Sequence, residues 1–414
     1  EADATLSGGE MKRIEIATVL AAHHAICIFD EPEAGIDLWS FSMLVKRFEQ
    51  IHKEKKESLI LISHQERIIR MADRIMVISD GQIESIGKAE EIMPQLFGTE
   101  AESCVCRQQE LNNVTNDVLN VIDSYGFKQE GAYNLRLNGM AVCHGDSRHI
   151  QIVKKEDQPG IDIHISGEAK NEQVHIPVVM TEAGVDVVYN DFYIEDGADV
   201  TIVAGCGIHG EGCSETRHDG IHTFHVGKNA NVKYVENHYA DGNGTGKKVL
   251  NPVTKIYVGE GSVFTLETTQ IKGVDSTKRE NYIELAENAK LNVTEKLMTH
   301  EAQSAVSNMD VVLKGENSSA RIISRSVAKG TSVQVFHPRA IGENPCHAHV
   351  QCDSIIMDQA EISSIPEINA KHVDAQIVHE AAIGRINDEQ LIKLRTFGLS
   401  EEEAESVIIE NFLK

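Results

Sequence analysis

Between about residue 150 and residue 385, apolar and polar positions alternate in short runs that recur at a nearly constant interval. A small residue leads each run, and successive leading residues are 32, 32, 27, 31, 28 and 27 positions apart. Period-2 alternation is typical of β-strands, and a repeat of this length without helices favours a parallel β-helix, in which each coil adds a rung about 4.8 Å along the axis. A β-sandwich is the alternative, although it does not require a constant interval. The leading residues are Ala198, Ala230, Ser262, Ala289, Ala320, Ala348 and Ala375.

Both ends of this repeat are predicted to be helical. At the front, apolar residues recur at helical spacing between positions 111 and 122, and residues 133–139 follow as a strand and a turn. At the back, Ser400 and the three glutamates after it predict an N-cap with an acidic first turn. An apolar stripe then comprises Ala404, Val407, Ile408 and Phe412.

The first hundred residues follow a different pattern, which predicts the order helix, strand, helix, strand, short strand and helix. The apolar runs at residues 25–29 and 59–63 are the two main strands of this α/β segment. We therefore expect a multidomain chain. Its parts are a partial α/β domain at 1–107, a helix and strand segment at 108–150, the mainly-β solenoid at 151–385 and C-terminal helices at 386–414.

Short motifs around these two strands favour nucleotide chemistry. Residues 6–10 are Leu-Ser-Gly-Gly-Glu, the first apolar run leads into Asp30 and Glu31, and the second is followed by His64. This order of signature loop, Walker B strand and switch histidine is typical of the second half of an ABC-type ATPase domain. There Asp30 is expected to hold Mg²⁺ through water, Glu31 to polarise the attacking water and His64 to reach the γ-phosphate. The residues expected to bind the nucleotide and its metal are Ser7, Gly8, Gly9, Asp30 and Asp37.

The phosphate-binding motif Gly-x-x-x-x-Gly-Lys-Ser/Thr does not occur in the 414 residues, so we expect that this polypeptide alone does not hydrolyse ATP. Residues 6–17 and 30–40 nevertheless closely resemble the ATPase subunit of the Suf-type iron–sulfur cluster assembly system, SufC. The resemblance implies a complete SufC-like ATPase as a partner, with ATP and Mg²⁺ bound in the complete enzyme.

Composition excludes several classes of partner. A hydrophobic content of 41% and a charged content of 25% are ordinary for a globular protein. The net charge of −25 argues against nucleic acid and anionic lipid, since phosphate contacts require clustered Lys and Arg. Without a long apolar run or a signal-peptide pattern, the expected location is the cytoplasm, away from membranes. The eight cysteines are therefore predicted to be catalytic, metal-binding or buried thiols rather than a disulfide framework.

Thiol, imidazole and carboxylate groups interrupt the apolar rows near the end of the repeat. The alternation predicts Cys352 in the inward slot that Ile202 and Leu266 occupy in earlier coils, with His379 in that slot one coil later and Glu380 beside it. A thiolate with a neighbouring imidazole and carboxylate can bind iron. A single Cys or His in such a slot is more often a core side chain, and on spacing alone this alternative stays open. Just before Cys352 come Cys346, His347 and His349.

This part of the chain resembles the SufB/SufD family of iron–sulfur scaffold proteins, from about residue 110 to the end. The resemblance implies a right-handed parallel β-helix that forms a homodimer through its C-terminal coils. The scaffold cysteine and glutamate of the family fall on Cys352 and Glu380, and a histidine used across the dimer falls on His349 or, as second choice, His379. Two such sets are enough for a 4Fe–4S or 2Fe–2S cluster. The matching stretches are 352–354, 366–368, 379–381, 384–386 with Gln390, 133–139 and 218–222.

A second group of Cys and His residues lies between positions 206 and 225. Its spacing is not that of a zinc finger, so three alternatives stay open: structural zinc, entry of sulfur through Cys206 by analogy with a second important cysteine of the family, and a polar loop or core role. Cys143 is predicted to be structural, and residues 104–106, Cys-Val-Cys, a linker. The group comprises Cys206, His209, Cys213, His218, His222 and His225.

The favoured function is assembly of an iron–sulfur cluster on a scaffold and its transfer to apo-proteins, coupled to an ABC-type ATPase. A cysteine desulfurase or another sulfur donor, and apo iron–sulfur proteins as recipients, are the further partners. Two alternatives remain: an ABC-type ATPase whose solenoid is only a dimerisation arm, and a structural solenoid that binds zinc.

Overall fold

The computed structural model describes residues 26–30, 58–63, 72–79, 82–89, 113–122, 131–396 and 398–413, together with isolated positions between residues 16 and 92. The chain divides into two compact units, residues 1–102 and residues 103–414.

The first unit contains two pairs of strands among its described residues. Strands β1 (Ile26–Asp30) and β2 (Ser58–Ile62) are parallel, whereas β3 (Arg74–Ser79) and β4 (Gln82–Lys88) form an antiparallel pair. The rings of Phe29 and Phe48 pack in its core with centroids 5.3 Å apart. The two apolar runs are therefore strands, as predicted, and the ABC-type domain around them stays a prediction.

The second unit consists mainly of strands. Its helices are α1 (Asn113–Val121), α2 (Asp388–Thr396) and α3 (Glu401–Leu413). Its strands are β5 (Ala132–Leu137), β6 (Met140–Gly145), β7 (Ile150–Lys154), β8 (Gly160–Ile165), β9 (Glu172–His175), β10 (Val178–Met180), β11 (Gly184–Ile194), β12 (Asp199–His209), β13 (Thr216–Val226), β14 (Asn231–Asp241), β15 (Lys248–Leu250), β16 (Val253–Val258), β17 (Val263–Lys272), β18 (Ser276–Leu285), β19 (Lys290–Thr299), β20 (Ser304–Leu313), β21 (Ser318–Ala328), β22 (Val333–Gly342), β23 (Cys346–Ile356), β24 (Glu361–Ser364), β25 (Glu367–Ala370) and β26 (Gln376–Gly384).

These strands form two 11-stranded sheets, and the chain alternates between them. One sheet runs β12-β14-β17-β19-β21-β23-β26 towards its C-terminal end, and the other includes β11, β13, β18, β20 and β22. Strands that follow one another in the same sheet pair in parallel throughout these rows. The predicted parallel β-solenoid is therefore confirmed, and its right-handed sense stays a prediction.

Inward side chains stack from rung to rung and form the core. The rings of Phe192 and Phe224 lie parallel with centroids 4.3 Å apart, and Phe224 contacts Phe264 edge-on at 5.4 Å. Turn residues close the coils as predicted, since Asn229 and Gly261 adopt the left-handed φ values of 53° and 68°. Each inward position of a strand lies beside the same position on the next rung, so it forms one buried row of side chains along the solenoid. These rows together make the core continuous.

The repeat deduced from the leading residues is two positions out of register at two of its steps. Leu291, two residues after the leading Ala289, pairs with Ala320, and Ile377 pairs with Ala348. A shift of two residues leaves every side chain on the same face of a strand, so a small residue fits either slot. Only the backbone pairing distinguishes the two registers.

Two of the helices pack against one sheet of the solenoid, α1 on β12 and α3 on β21. Helix α1 packs closely on β12, where a Cβ on Gly207 would lie 2.1 Å from Val118, so glycine is required at that contact. At α3 the Ser400 Oγ accepts a hydrogen bond from the Glu403 amide at 3.2 Å, and the Ser400 amide donates to the Glu403 carboxylate at 2.7 Å. This capping box confirms the predicted N-cap.

The buried face of α3 differs in part from the predicted stripe. Ala404 is buried as predicted, but Ile409 and Leu413 take the other buried positions, while Val407 and Ile408 are half-buried. None of the helices in the described part of the chain combines the length and the apolar character needed to span a bilayer.

Candidate metal centre

The predicted site residues lie on the last two strands of one sheet, β23 and β26. Among the described residues β26 ends the row of strands, so it pairs with β23 on one side only. In this pair Val350 lies opposite His379, and Cys352 lies opposite Ala381.

The predicted slot is right for His379 and wrong for Cys352. The inward row that contains Ile202 and Leu266 continues to Val350 and then to His379. Cys352 belongs to the neighbouring inward row, two residues along the strand. The error has the same origin as the register shift, because both positions face the interior.

Cys352 and His379 nevertheless come together inside the solenoid. The Cys352 Sγ atom lies 3.2 Å from the His379 Nε2 atom, and Cys352 is only 3% exposed. Burial raises the pKa of the Cys352 thiol to about 11, and the carboxylates of Glu295 and Asp353 raise it further, while the nearby Ser364 hydroxyl acts in the opposite direction. Burial also lowers the pKa of His379. A metal ion must therefore displace the thiol proton before it can bind sulfur.

His349 and Glu380 form a second pair, on the outer face of the same strands. The His349 Nε2 and Glu380 Oε2 atoms are 3.5 Å apart, and the two side chains are 32% and 64% exposed. The four predicted ligands are thus divided into an inner pair and an outer pair. Across the described ranges, no group of three or more His, Cys, Asp and Glu side chains is already arranged for a metal ion.

Cys352 ends a row of buried polar side chains that the sequence prediction missed. Arg279, on β18 of the opposite sheet, pairs with the carboxylates of this row, since its guanidinium lies 3.0 Å from the Glu295 carboxylate and 3.6 Å from the Glu236 carboxylate. Burial raises the pKa of Glu236, but the charges of His238 and Arg279 outweigh it and bring the pKa to about 2. The sequence did contain a signal for this row, namely polar residues at positions that the alternation places inside the solenoid. Rung by rung, the row is Glu236, Thr268, Glu295, Ser324 and Cys352.

The second Cys and His group is not one site in the structure. Cys206, His218 and His222 face the interior and are buried, whereas Cys213 is exposed and His209 is paired with Asp241 and Glu211 near the surface. The His225 ring stacks on the outer face between Tyr193 and Tyr257, with centroid distances of 5.2 Å and 5.6 Å.

The cysteines inside the solenoid are not equivalent. Burial raises the pKa of Cys206 well above its usual value, and the carboxylates of Glu236 and Asp186 add to the effect. Cys143, predicted to be structural, is disulfide-bonded, so the expectation of thiols throughout is wrong at this position.

Little of the predicted nucleotide site can be located. Asp30 is the last residue of β1 and is exposed. The other predicted residues lie outside the described residues and stay predictions. They are Ser7, Gly8, Gly9, Glu31, Asp37 and His64.

The solenoid part of the chain matches known proteins. A family model described as SUF system FeS cluster assembly, SufBD core domain, matches residues 181–412. An iron–sulfur cluster assembly SufBD family protein of Archaeoglobus fulgidus is 33% identical over 231 residues, which are 55% of this chain and 60% of that relative. One from Methanocaldococcus jannaschii is 28% identical over 244 residues, 58% of this chain and 76% of the relative.

The chain thus spans about 60% of the length of the Archaeoglobus relative. A separate similarity covers a shorter segment: an uncharacterized ABC transporter ATP-binding protein of Methanocaldococcus jannaschii is 40% identical over 90 residues, which are 22% of this chain and 36% of that protein. The family model covers more than half of the residues, and the parallel solenoid is consistent with it. This chain therefore belongs to the SufBD family of iron–sulfur cluster assembly proteins.

Proposed function

We propose that the chain is a scaffold on which an iron–sulfur cluster is assembled and from which the cluster passes to apo-proteins. The observation that carries the proposal is the contact between Cys352 and His379, 3.2 Å apart on the last two rungs of a SufBD core domain. A thiol and an imidazole in contact supply two of the ligand types that iron and iron–sulfur clusters take in proteins.

Iron is a substrate of this site. Cys352 supplies the thiolate, Glu380 the carboxylate, and His349 or His379 the imidazole. The outer pair, His349 and Glu380, and the inner pair, Cys352 and His379, lie on opposite faces of the strands. For one chain to bind one ion with all four groups, β26 must therefore rearrange. A second chain at this edge offers the other route, because it brings a second set of the same residues to the boundary.

Several features support a homodimer through the C-terminal coils. β26 has an open edge among the described strands, and such an edge presents unpaired N–H and C=O groups to another chain. Apolar side chains remain exposed around this end. They are Ile365, Ile368, Val373, Val378 and Ile383. Apolar surface beside an open edge favours association with a partner.

The coupling to ATP belongs to the same proposal. The segment similar to ABC ATP-binding proteins, proposed as residues 1–107, contributes signature, Walker B and switch elements, and a complete SufC-like ATPase supplies the phosphate-binding half. ATP and Mg²⁺ bound there change the scaffold dimer and open the interfacial site. A cysteine desulfurase or another donor delivers sulfur in the cytoplasm, and entry through Cys206 stays a prediction.

The test is anaerobic reconstitution of the full chain with iron and sulfide, followed by measurement of iron, acid-labile sulfide and the absorption spectrum. The parent is expected to hold a stoichiometric cluster and Cys352→Ser to lose it. Cys213→Ser is the matched control, because Cys213 is an exposed thiol of the same solenoid. It is expected to keep the cluster.

The opposite result selects an alternative. A chain that takes up no cluster but retains zinc is a structural solenoid, with Cys352 as a core thiol. ATP turnover by the complete ATPase complex without any dependence on iron indicates that the solenoid is only a dimerisation arm.

A further inference from the structure

Two buried histidines on β13 direct a ring nitrogen at the same point beside a glycine. A Cβ built on Gly220 would lie 3.0 Å from the Nε2 atom of His222 and 3.3 Å from the Nε2 atom of His218. All three residues are on the inward face of the strand, and the side chain of His218 is only 2% exposed. Because glycine carries no side chain, both ring nitrogens can approach the same point beside the strand, closer than an ordinary Cβ contact would allow.

The orientation of the His218 ring is set by the partner of its Nδ1 atom. Its Nδ1 atom lies 3.0 Å from the Asp186 carboxylate, which Arg136 in turn holds at 2.6 Å. With the ring N–H directed at the carboxylate, Nε2 carries the lone pair. This Nε2 atom is buried and has no hydrogen-bond partner, which is costly for a polar atom in a protein interior.

The His222 ring has the matching arrangement. Its Nδ1 atom lies 2.7 Å from the Tyr234 hydroxyl, and the Asn190 amide nitrogen, which can only donate, lies 3.5 Å from its Nε2 atom. The hydrogen-bond network therefore assigns the lone pair of His222 to Nε2 as well. The Nε2 lone pair of His218 is therefore unused, whereas that of His222 accepts a long hydrogen bond from Asn190, which a bound cation would displace.

We propose that the Nε2 atoms of His218 and His222 bind a divalent first-row transition cation above Gly220, inside the solenoid. Imidazole nitrogen suits Zn²⁺, Co²⁺ and Fe²⁺, and a histidine that ligates metal almost always donates its other N–H to a carboxylate or another oxygen, as both do here. Water or an anion completes the coordination.

The site is separate from the proposed cluster centre. Five strand steps divide β12, in the same coil as the histidine pair, from β23, which carries Cys352, or about 24 Å along the axis. The inference therefore does not rest on the proposed scaffold function, and a Cys352→Ser background can isolate it.

The experiment uses Co²⁺ alone, with the full chain carrying Cys352→Ser, under anaerobic conditions. Equilibrium dialysis gives stoichiometry and affinity, and visible and X-ray absorption report the donor atoms. We expect one tightly bound Co²⁺ with nitrogen and oxygen donors, and its loss when His218→Ala and His222→Ala are combined. His225→Ala is the matched control, since His225 lies on the outer face of the same strand.

Gly220→Ala tests the approach of the two ring nitrogens without removing either ligand. The φ angle of Gly220 is not among the left-handed values, so alanine fits the backbone, while its Cβ occupies the space above the strand. We expect Co²⁺ affinity to fall at least tenfold with the circular dichroism spectrum unchanged. Equal binding by the parent and the double histidine variant overturns the proposal, as does a parent that binds no Co²⁺. Neither result changes the outcome of cluster reconstitution at Cys352.

Discussion

The sulfur of Cys352 lies 3.2 Å from Nε2 of His379, although the two residues are diagonal neighbours rather than paired partners on β23 and β26. The imidazole of the last rung therefore closes over the thiol of the rung before it. The chemistry of the thiol is then controlled by two things: its burial, and the position of the final strand.

We expect slow alkylation of Cys352 at neutral pH. Thiolate is the reactive form, and a pKa of about 11 instead of 9.0 leaves about 100-fold less of it at pH 7.5. The measurement is site-resolved mass spectrometry after iodoacetamide treatment between pH 7 and pH 10, with exposed Cys213 as internal reference. The rate at Cys352 should rise about tenfold per pH unit across this range. A plateau below pH 9 contradicts the proposed environment.

Glu380→Gln is expected to lower the iron content of the reconstituted chain and to leave its stability almost unchanged. The carboxylate is 64% exposed, and an ion pair at such a position contributes little to folding. Iron analysis and urea unfolding on the same preparation separate the two effects. Glu367→Gln, an exposed carboxylate on β25, serves as control. Full iron content in Glu380→Gln removes this residue from the ligand set.

Ile383→Lys is expected to shift a dimer of this chain to monomer. Ile383 lies on the terminal strand and is 43% exposed, so the added charge meets the proposed partner rather than the core. Sedimentation velocity gives the oligomeric state. Met140→Lys, at a 69% exposed position on β6, should sediment like the parent. A parent that is monomeric at all concentrations contradicts the dimer.

Arg279→Met is expected to destabilise the solenoid by about 3–5 kcal/mol, because it leaves buried carboxylates without their cation. The Arg279 and Glu295 side chains are 3% and 2% exposed and lie 3.0 Å apart. The free energy of unfolding in urea measures the loss. Lys228→Met breaks an ion pair with Glu260 at the surface and should leave the unfolding curve in place. A similar small effect in both variants means that the interior is hydrated enough to screen Glu295.

The sequence was sufficient for the architecture of the solenoid but not for its register. Alternation and turn residues such as Asn229 indicate a solenoid because each depends only on local chemistry. The pairing of Leu291 with Ala320 could not be predicted, since a two-residue shift satisfies the same alternation.

The candidate site was predictable in composition and less so in geometry. Cys352 and His379 meet, as their clustering suggested. That His349 and Glu380 face outward was available from the alternation, because each lies an odd number of positions along the strand from its inward neighbour, His379 for Glu380 and Cys352 for His349. The contact between the Asp186 carboxylate and the His218 ring could not be predicted, because it depends on the register of β11 against β13.

A linear array of rungs is held together by contacts between neighbours, and its last member has a neighbour on one side only. β26 is in that position among the described strands. Detaching it breaks a single interface, so it costs far less than unfolding the protein, and it uncovers Cys352 while the preceding coils stay intact. A thiol that is sealed in the average structure is therefore exposed only when β26 detaches, and the frequency of such openings would set an upper limit on how fast the proposed iron substrate reaches it.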